Sequence, residues 1–210
     1  MPSVILLPVS PVDRTLIDAL VAPLRAELGI SISIEEKNTL NPSFAFDLKR
    51  NQHNSTAILA AMLQKYPDTH VAAVALSIVE GRQRDIRENP GMVLSANQGD
   101  ANQSSRKILA VTGLDLFVPV LTYVFGEAQL SGKAAVVSTF RLDETLYGLP
   151  ANRPLLEERL LKEAVHELGH TFGLIHCRNY ECAMHSSTAA EEIDIKGKGL
   201  CEECRKAIKN

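Results

Sequence analysis

No apolar run in this chain reaches the roughly 18 residues that a membrane-spanning helix needs. No secretory signal is expected either: the opening MPSVILLPVS has no basic start and is cut by Pro2 and Pro8. There is no excess of positive charge. The net charge is −3, so no global field draws in nucleic acid. The basic residues near the end (Lys196, Lys198, Arg205, Lys206, Lys209) are interleaved with acids and read as a solvated surface. Internal repeats and long low-complexity tracts are also absent. Cysteine is withheld until position 177, and all four cysteines fall in the last 34 residues. The expectation is a cytoplasmic protein, monomeric by default, with neither nucleic acid nor membrane as a partner. In a reducing compartment such clustering points to metal binding rather than disulfides.

What remains is ordinary globular composition, 45% hydrophobic and 22% charged over 210 residues. That length suits one α/β domain with a real core. VILLPV at Val4–Val9 reads as a strand. Between Pro11 and Gly29, apolar residues recur at three- and four-residue intervals, as one face of a helix requires. Pro23 inside that stretch predicts a kink or break, and Gly29 a stop. ISISI at Ile30–Ile34 alternates like a half-buried strand. Asn54 or Ser55 caps a second helix that Pro67 ends. VAAVALSIV (71–79) fits helix or buried strand equally. Residues 81–106 are polar and aperiodic, and read as an exposed loop. KILAVT at Lys107–Thr112 is a strand. Tyr123–Leu130 and Ala134–Thr139 form a hairpin through Ser131-Gly132-Lys133. Asn152 caps a long helix from near Pro154 to Gly173, and Glu202–Lys209 forms a short last helix. The order predicts a mixed sheet packed against helices.

The chemistry lies in HELGHTFGLIH, His166 to His176. On a helix, positions i and i+4 share one face, so His166 and His170 can offer nitrogens to one zinc ion. Glu167 stands beside the metal without binding it. Gly173 can take a left-handed conformation that ends the helix and returns His176 to the same ion. Three ligands leave a position open for water, as a catalytic zinc needs. With 12 Gly and 6 His in 210 residues, chance supplies Gly173 and His176 together about once in 600. Composition therefore does not account for the match. Glu167 is the expected general base.

Cys177 and Cys182 form one local pair, Cys201 and Cys204 another, the latter a CxxC. Four thiolates can make a closed, tetrahedral structural zinc site. Two disulfides and four unlinked thiols are the alternatives. A metal here would also fix the chain directly after His176.

The run HELGHTFGLIHCRNYECAM followed by CEEC resembles the archaemetzincins, zinc peptidases of the metzincin clan. The resemblance covers roughly residues 1–66 and 107–210. It implies an α/β (α+β) fold: a mixed, mostly parallel twisted sheet with an antiparallel edge strand, packed against helices that include the zinc helix. The domain would be 1–210, with an insertion at about 67–106. The resemblance further implies two zinc ions, peptide or protein substrates, and Met184 as the methionine of the turn below the catalytic metal. The edge strand would be Phe125, Gly126, Glu127, Ala128, Gln129 and Leu130, pairing with an extended substrate. His185 reads as exposed rather than as a ligand, Asp115 as a hydrogen-bonded turn residue, and Tyr123 and Tyr147 as packing residues. The alternative function is a catalytically weak or inactive zinc-stabilised peptide-binding module on the same fold. Glu167 argues against it, because binding alone needs no carboxylate there.

Overall fold

Apolar side chains on the central strands point to both faces, so both faces need cover. The computed structural model describes residues 2–36, 40–67, 77–78 and 106–209. Its elements begin with β1 (Ser3–Val9), α1 (Arg14–Leu28), β2 (Ser31–Ile34), β3 (Phe46–Asp47), β4 (Gln52–Asn54), α2 (Ser55–Lys65) and β5 (Ser77–Ile78). They continue with β6 (Arg106–Thr112), β7 (Leu116–Phe117), β8 (Gly126–Gln129), β9 (Ala134–Ser138), α3 (Arg153–Thr171), α4 (Ala190–Ile195) and α5 (Glu202–Lys209). Six strands form one sheet in the order β2-β1-β6-β9-β8-β5. The first four are mutually parallel. β8 runs antiparallel to β9, and β5 antiparallel to β8. The mixed, mostly parallel sheet expected from the sequence is present.

Strand alternation assigns the two faces. Val4, Leu6, Leu109, Val111, Ala135 and Val137 pack with α1 and α3. Leu7, Val9, Ile108, Ala110, Ala134 and Val136 pack with Ile58, Leu59 and Met62 of α2. Leu160 and Leu168 of α3 are fully buried, each contributing about 1.5–3 kcal/mol. That burial fixes the long helix, and hence the motif on it, against the sheet.

Several expectations change. α1 carries through Pro23 to its cap at Gly29 (φ 67°). Pro23 faces solvent, so the carbonyl it leaves unbonded one turn earlier can take water. The helix starts at Arg14, not Pro11, because the Asp13 side chain accepts from Thr15 N and caps it. β8 is not the outermost strand along its whole length. Ser77 pairs with Gln129 and Ile78 with Ala128, so the chain supplies its own strand there. Of VAAVALSIV, only Ser77–Ile78 are described, as strand; the rest of it lies outside the described residues, as does the loop expected at 81–106 except Arg106, which opens β6. A second, three-stranded sheet (β3-β4-β7) and α4 were not expected.

Candidate metal centre

The zinc-binding motif needs a helix that ends on cue. Asn152 caps α3 by accepting from Leu155 N, with Pro154 in the first turn. At the far end Gly173 adopts φ 93°, and its N–H donates to His170 O at 2.9 Å. Two other elements hold the exposed carbonyls of that last turn. Ser131 N donates to His170 O at 2.9 Å, and buried Lys107 Nζ donates to Thr171 O at 2.9 Å. A cation at a helix C-terminus is favourably placed.

His166 and His170 project from this last stretch, and the turn through Gly173 brings His176 back to them. Ring centroids are 4.6, 5.2 and 5.1 Å apart for the pairs 166–170, 166–176 and 170–176. One ligand atom from each imidazole lies within 4.8 Å of the others. Hydrogen bonds set the tautomers. His166 Nδ1 donates to Ala183 O at 2.8 Å, and His170 Nδ1 to Leu174 O at 2.7 Å. A carbonyl only accepts, so each Nδ1 carries a proton and each ring turns its Nε2 inward. Those two Nε2 atoms are 3.0 Å apart. Zn–N bonds of 2.0–2.1 Å in a tetrahedron put nitrogens about 3.3 Å apart. Burial, reinforced by His166, lowers the pKa of His170 from 6.5 to about 2, so a proton is a poor occupant of this site. The residues present therefore fit a divalent cation.

Glu167 is almost wholly buried beside the triad. Gly126 at the start of β8 lies directly against it: a Cβ there would stand 2.5 Å from Glu167 Oε1. Met184 is fully buried below the helix, and a Cβ at Gly169 would overlap its sulfur. The two motif glycines thus do different work, Gly173 turning the chain and Gly169 admitting Met184.

Cys177, Cys182, Cys201 and Cys204 form the second cluster, their sulfurs all within 4.8 Å of one another. All four are free thiols. Cys177 Sγ and Cys201 Sγ are 3.8 Å apart, and Cys201 N donates to Cys182 Sγ. Zn–S bonds of about 2.3 Å in a tetrahedron place sulfurs about 3.8 Å apart, while a disulfide needs about 2.05 Å. The donor set fits zinc.

Other residues fall as follows. His185 is half-buried and its Nδ1 donates to Cys177 O at 2.9 Å, so it is neither a ligand of the triad nor exposed. Asp115 receives two bonds from Arg141 and one from Gln52, as a turn-ordering residue should. Tyr123 donates to Thr188 O and Tyr147 to Arg141 O, so both phenols are used structurally. Glu127 of β8 is turned into the protein rather than toward a substrate. Its buried carboxylate accepts from Ser55 and Thr56 in the first turn of α2. Phe125 to Ala128 are buried, and only Gln129 and Leu130 of that segment are half-buried. Sequence reasoning missed Glu163 and Lys196, which form an ion pair below the triad. A charge on the buried stripe of α3 was the available signal.

The profile of peptidase family M54 matches residues 76–210. The archaemetzincin of Methanocaldococcus jannaschii is 45% identical over 103 residues, 49% of this chain and 58% of that relative. That of Pyrococcus horikoshii is 46% identical over 119 residues, 56% of this chain and 62% of the relative. The match spans about three fifths of the length of these curated relatives. The crystal structure of a zinc-dependent peptidase from Methanocorpusculum labreanum superposes with a TM-score of 0.75 at 29% identity, covering 98% of this chain and 99% of that one. The archaemetzincin of Archaeoglobus fulgidus, crystallised with malonate, gives 0.68 at 28% identity over 98% and 99%. With more than half its residues matched by the family profile, the chain belongs to peptidase family M54.

Proposed function

We propose that the protein is a zinc-dependent metallopeptidase, with one zinc ion at His166, His170 and His176 and a second, structural one at the four cysteines. One observation carries the first part: two inward-facing Nε2 atoms 3.0 Å apart, on rings whose outer nitrogens are committed to carbonyls. That spacing suits two nitrogens binding one cation. Zinc bound there supplies Lewis acidity, lowering the pKa of water towards about 7 and polarising a scissile carbonyl. Glu167 takes the attacking water's proton and delivers it to the leaving amine. Its burial keeps bulk water from competing for that proton. Gly126 brings β8 within contact of Glu167, so a peptide held along Phe125, Gly126 and Glu127 would lie beside the base. Ala128 and Gln129 are already paired to β5 and are not offered as substrate contacts. The cysteine zinc closes the segment that follows His176. Four free thiols in ligand geometry suit a reducing compartment, in keeping with a cytoplasmic protein.

The test is a diverse peptide library incubated with the zinc-loaded protein and read by mass spectrometry, with Glu167→Ala as control. The parent should cleave, and the variant should keep its zinc and lose turnover. Cleavage at the parental rate by the variant would sink the mechanism. Binding without cleavage in both would favour the peptide-binding module.

A further inference from the structure

Glu163 stands one turn before the motif, on the same stripe of α3 as His166, Glu167 and His170. Its side chain is fully buried, and so is that of Lys196, whose Nζ lies 2.7 Å from Glu163 Oε1. Taking two charges out of water costs several kcal/mol per ion, and a matched apolar pair often stabilises a fold as well. Stability alone is thus a weak reason for this arrangement. The connections of Lys196 offer another. Its Nζ also donates to His185 O at 3.1 Å. His185 Nδ1 donates to Cys177 O at 2.9 Å, next to His176. Cys177 N donates to Met184 O at 2.9 Å, and Ala183 O receives His166 Nδ1 at 2.8 Å. The ion pair therefore joins α3 to the one turn that both orients His166 and flanks His176.

We propose that Glu163 and Lys196 are positioning residues: a buried ionic strut that sets the turn Ala183–His185 against α3 and so tunes how tightly the histidine site holds its metal. The strut does not touch the metal. It fixes the height of the Ala183 carbonyl and the path of the Cys177 backbone at once. Partners that orient a ligand imidazole typically govern metal affinity by 10–100-fold. The inference rests on the histidine site binding zinc, as proposed above.

The experiment measures zinc affinity at each site of the full chain by chelator competition. The variants are Lys196→Met/Glu163→Gln, which removes both charges together, and Lys196→Arg, which keeps the charge and alters the reach. Thermal unfolding and zinc at the cysteine site report folding. Both variants should fold and keep the cysteine zinc, while the histidine site weakens ~10–100-fold in the double variant and less in Lys196→Arg. Unchanged affinity at the histidine site in the folded double variant overturns the strut. Failure of both variants to fold also overturns it and assigns the pair to stability. Absence of zinc from the histidine site of the parent chain overturns the metallopeptidase reading instead.

Discussion

At Gly126 a missing side chain creates the site as much as any side chain present. A Cβ there would meet three atoms of Glu167 between 2.5 and 2.7 Å. Gly126→Ala should therefore push the carboxylate out of place while leaving the three imidazoles alone. A misplacement of about 1 Å near the reacting atoms can cost about 100-fold in rate. We expect turnover of a cleaved library peptide to fall ~10–100-fold with zinc content unchanged; parental turnover would show that Glu167 tolerates the shift. The histidines and Glu167 were legible because their relation is local: spacing on one helix, one glycine, one return. Gly126 and Glu163 were not, because their meaning comes from partners far along the chain. A glycine at a strand start says nothing until the strand is seen lying on α3.

Among the elements, β1, β6 and β9 were readable as short apolar runs and α3 from the helical spacing of its apolar face. β3, β4, β7 and α4 were not, being between two and six residues long. The edge of the sheet was misread for a different reason. Only pairing shows which strand is outermost, and β5 contributes two residues that no pattern marks. The stretch from Cys177 to Cys204 has little regular structure, and its four cysteines come together in one cluster. Cys182 directly precedes Ala183, whose carbonyl orients His166. Cys201→Ser should therefore act on both clusters. Elemental analysis should drop from two zinc per chain to one or fewer, with a fall in thermal midpoint of at least ~5 °C. A variant that retained two equivalents would remove the four-cysteine site.

For the whole molecule, the histidine cluster links folding to acidity. Burial first, then the neighbouring imidazole of His166, holds His170 neutral down to about 2 against an ordinary 6.5. The unfolded chain binds a proton there below 6.5 and the folded chain does not. Stability of the zinc-stripped protein should therefore fall as pH drops through 6.5, by at most ~1.4 kcal/mol per pH unit from this group. Above 6.5 both states are neutral at this residue and the contribution vanishes. Urea midpoints of chelator-treated protein between pH 8 and 5 would reveal the slope, and a flat profile would refute it.

The adjacency of the two clusters has a consequence for how the protein is made. All seven residues of the two proposed metal sites lie between His166 and Cys204, whereas the last described strand of the sheet ends at Ser138. A ribosome thus completes every described strand before it releases the first metal ligand. On the proposed reading, the residues of both metal sites are made only after every described strand of the sheet.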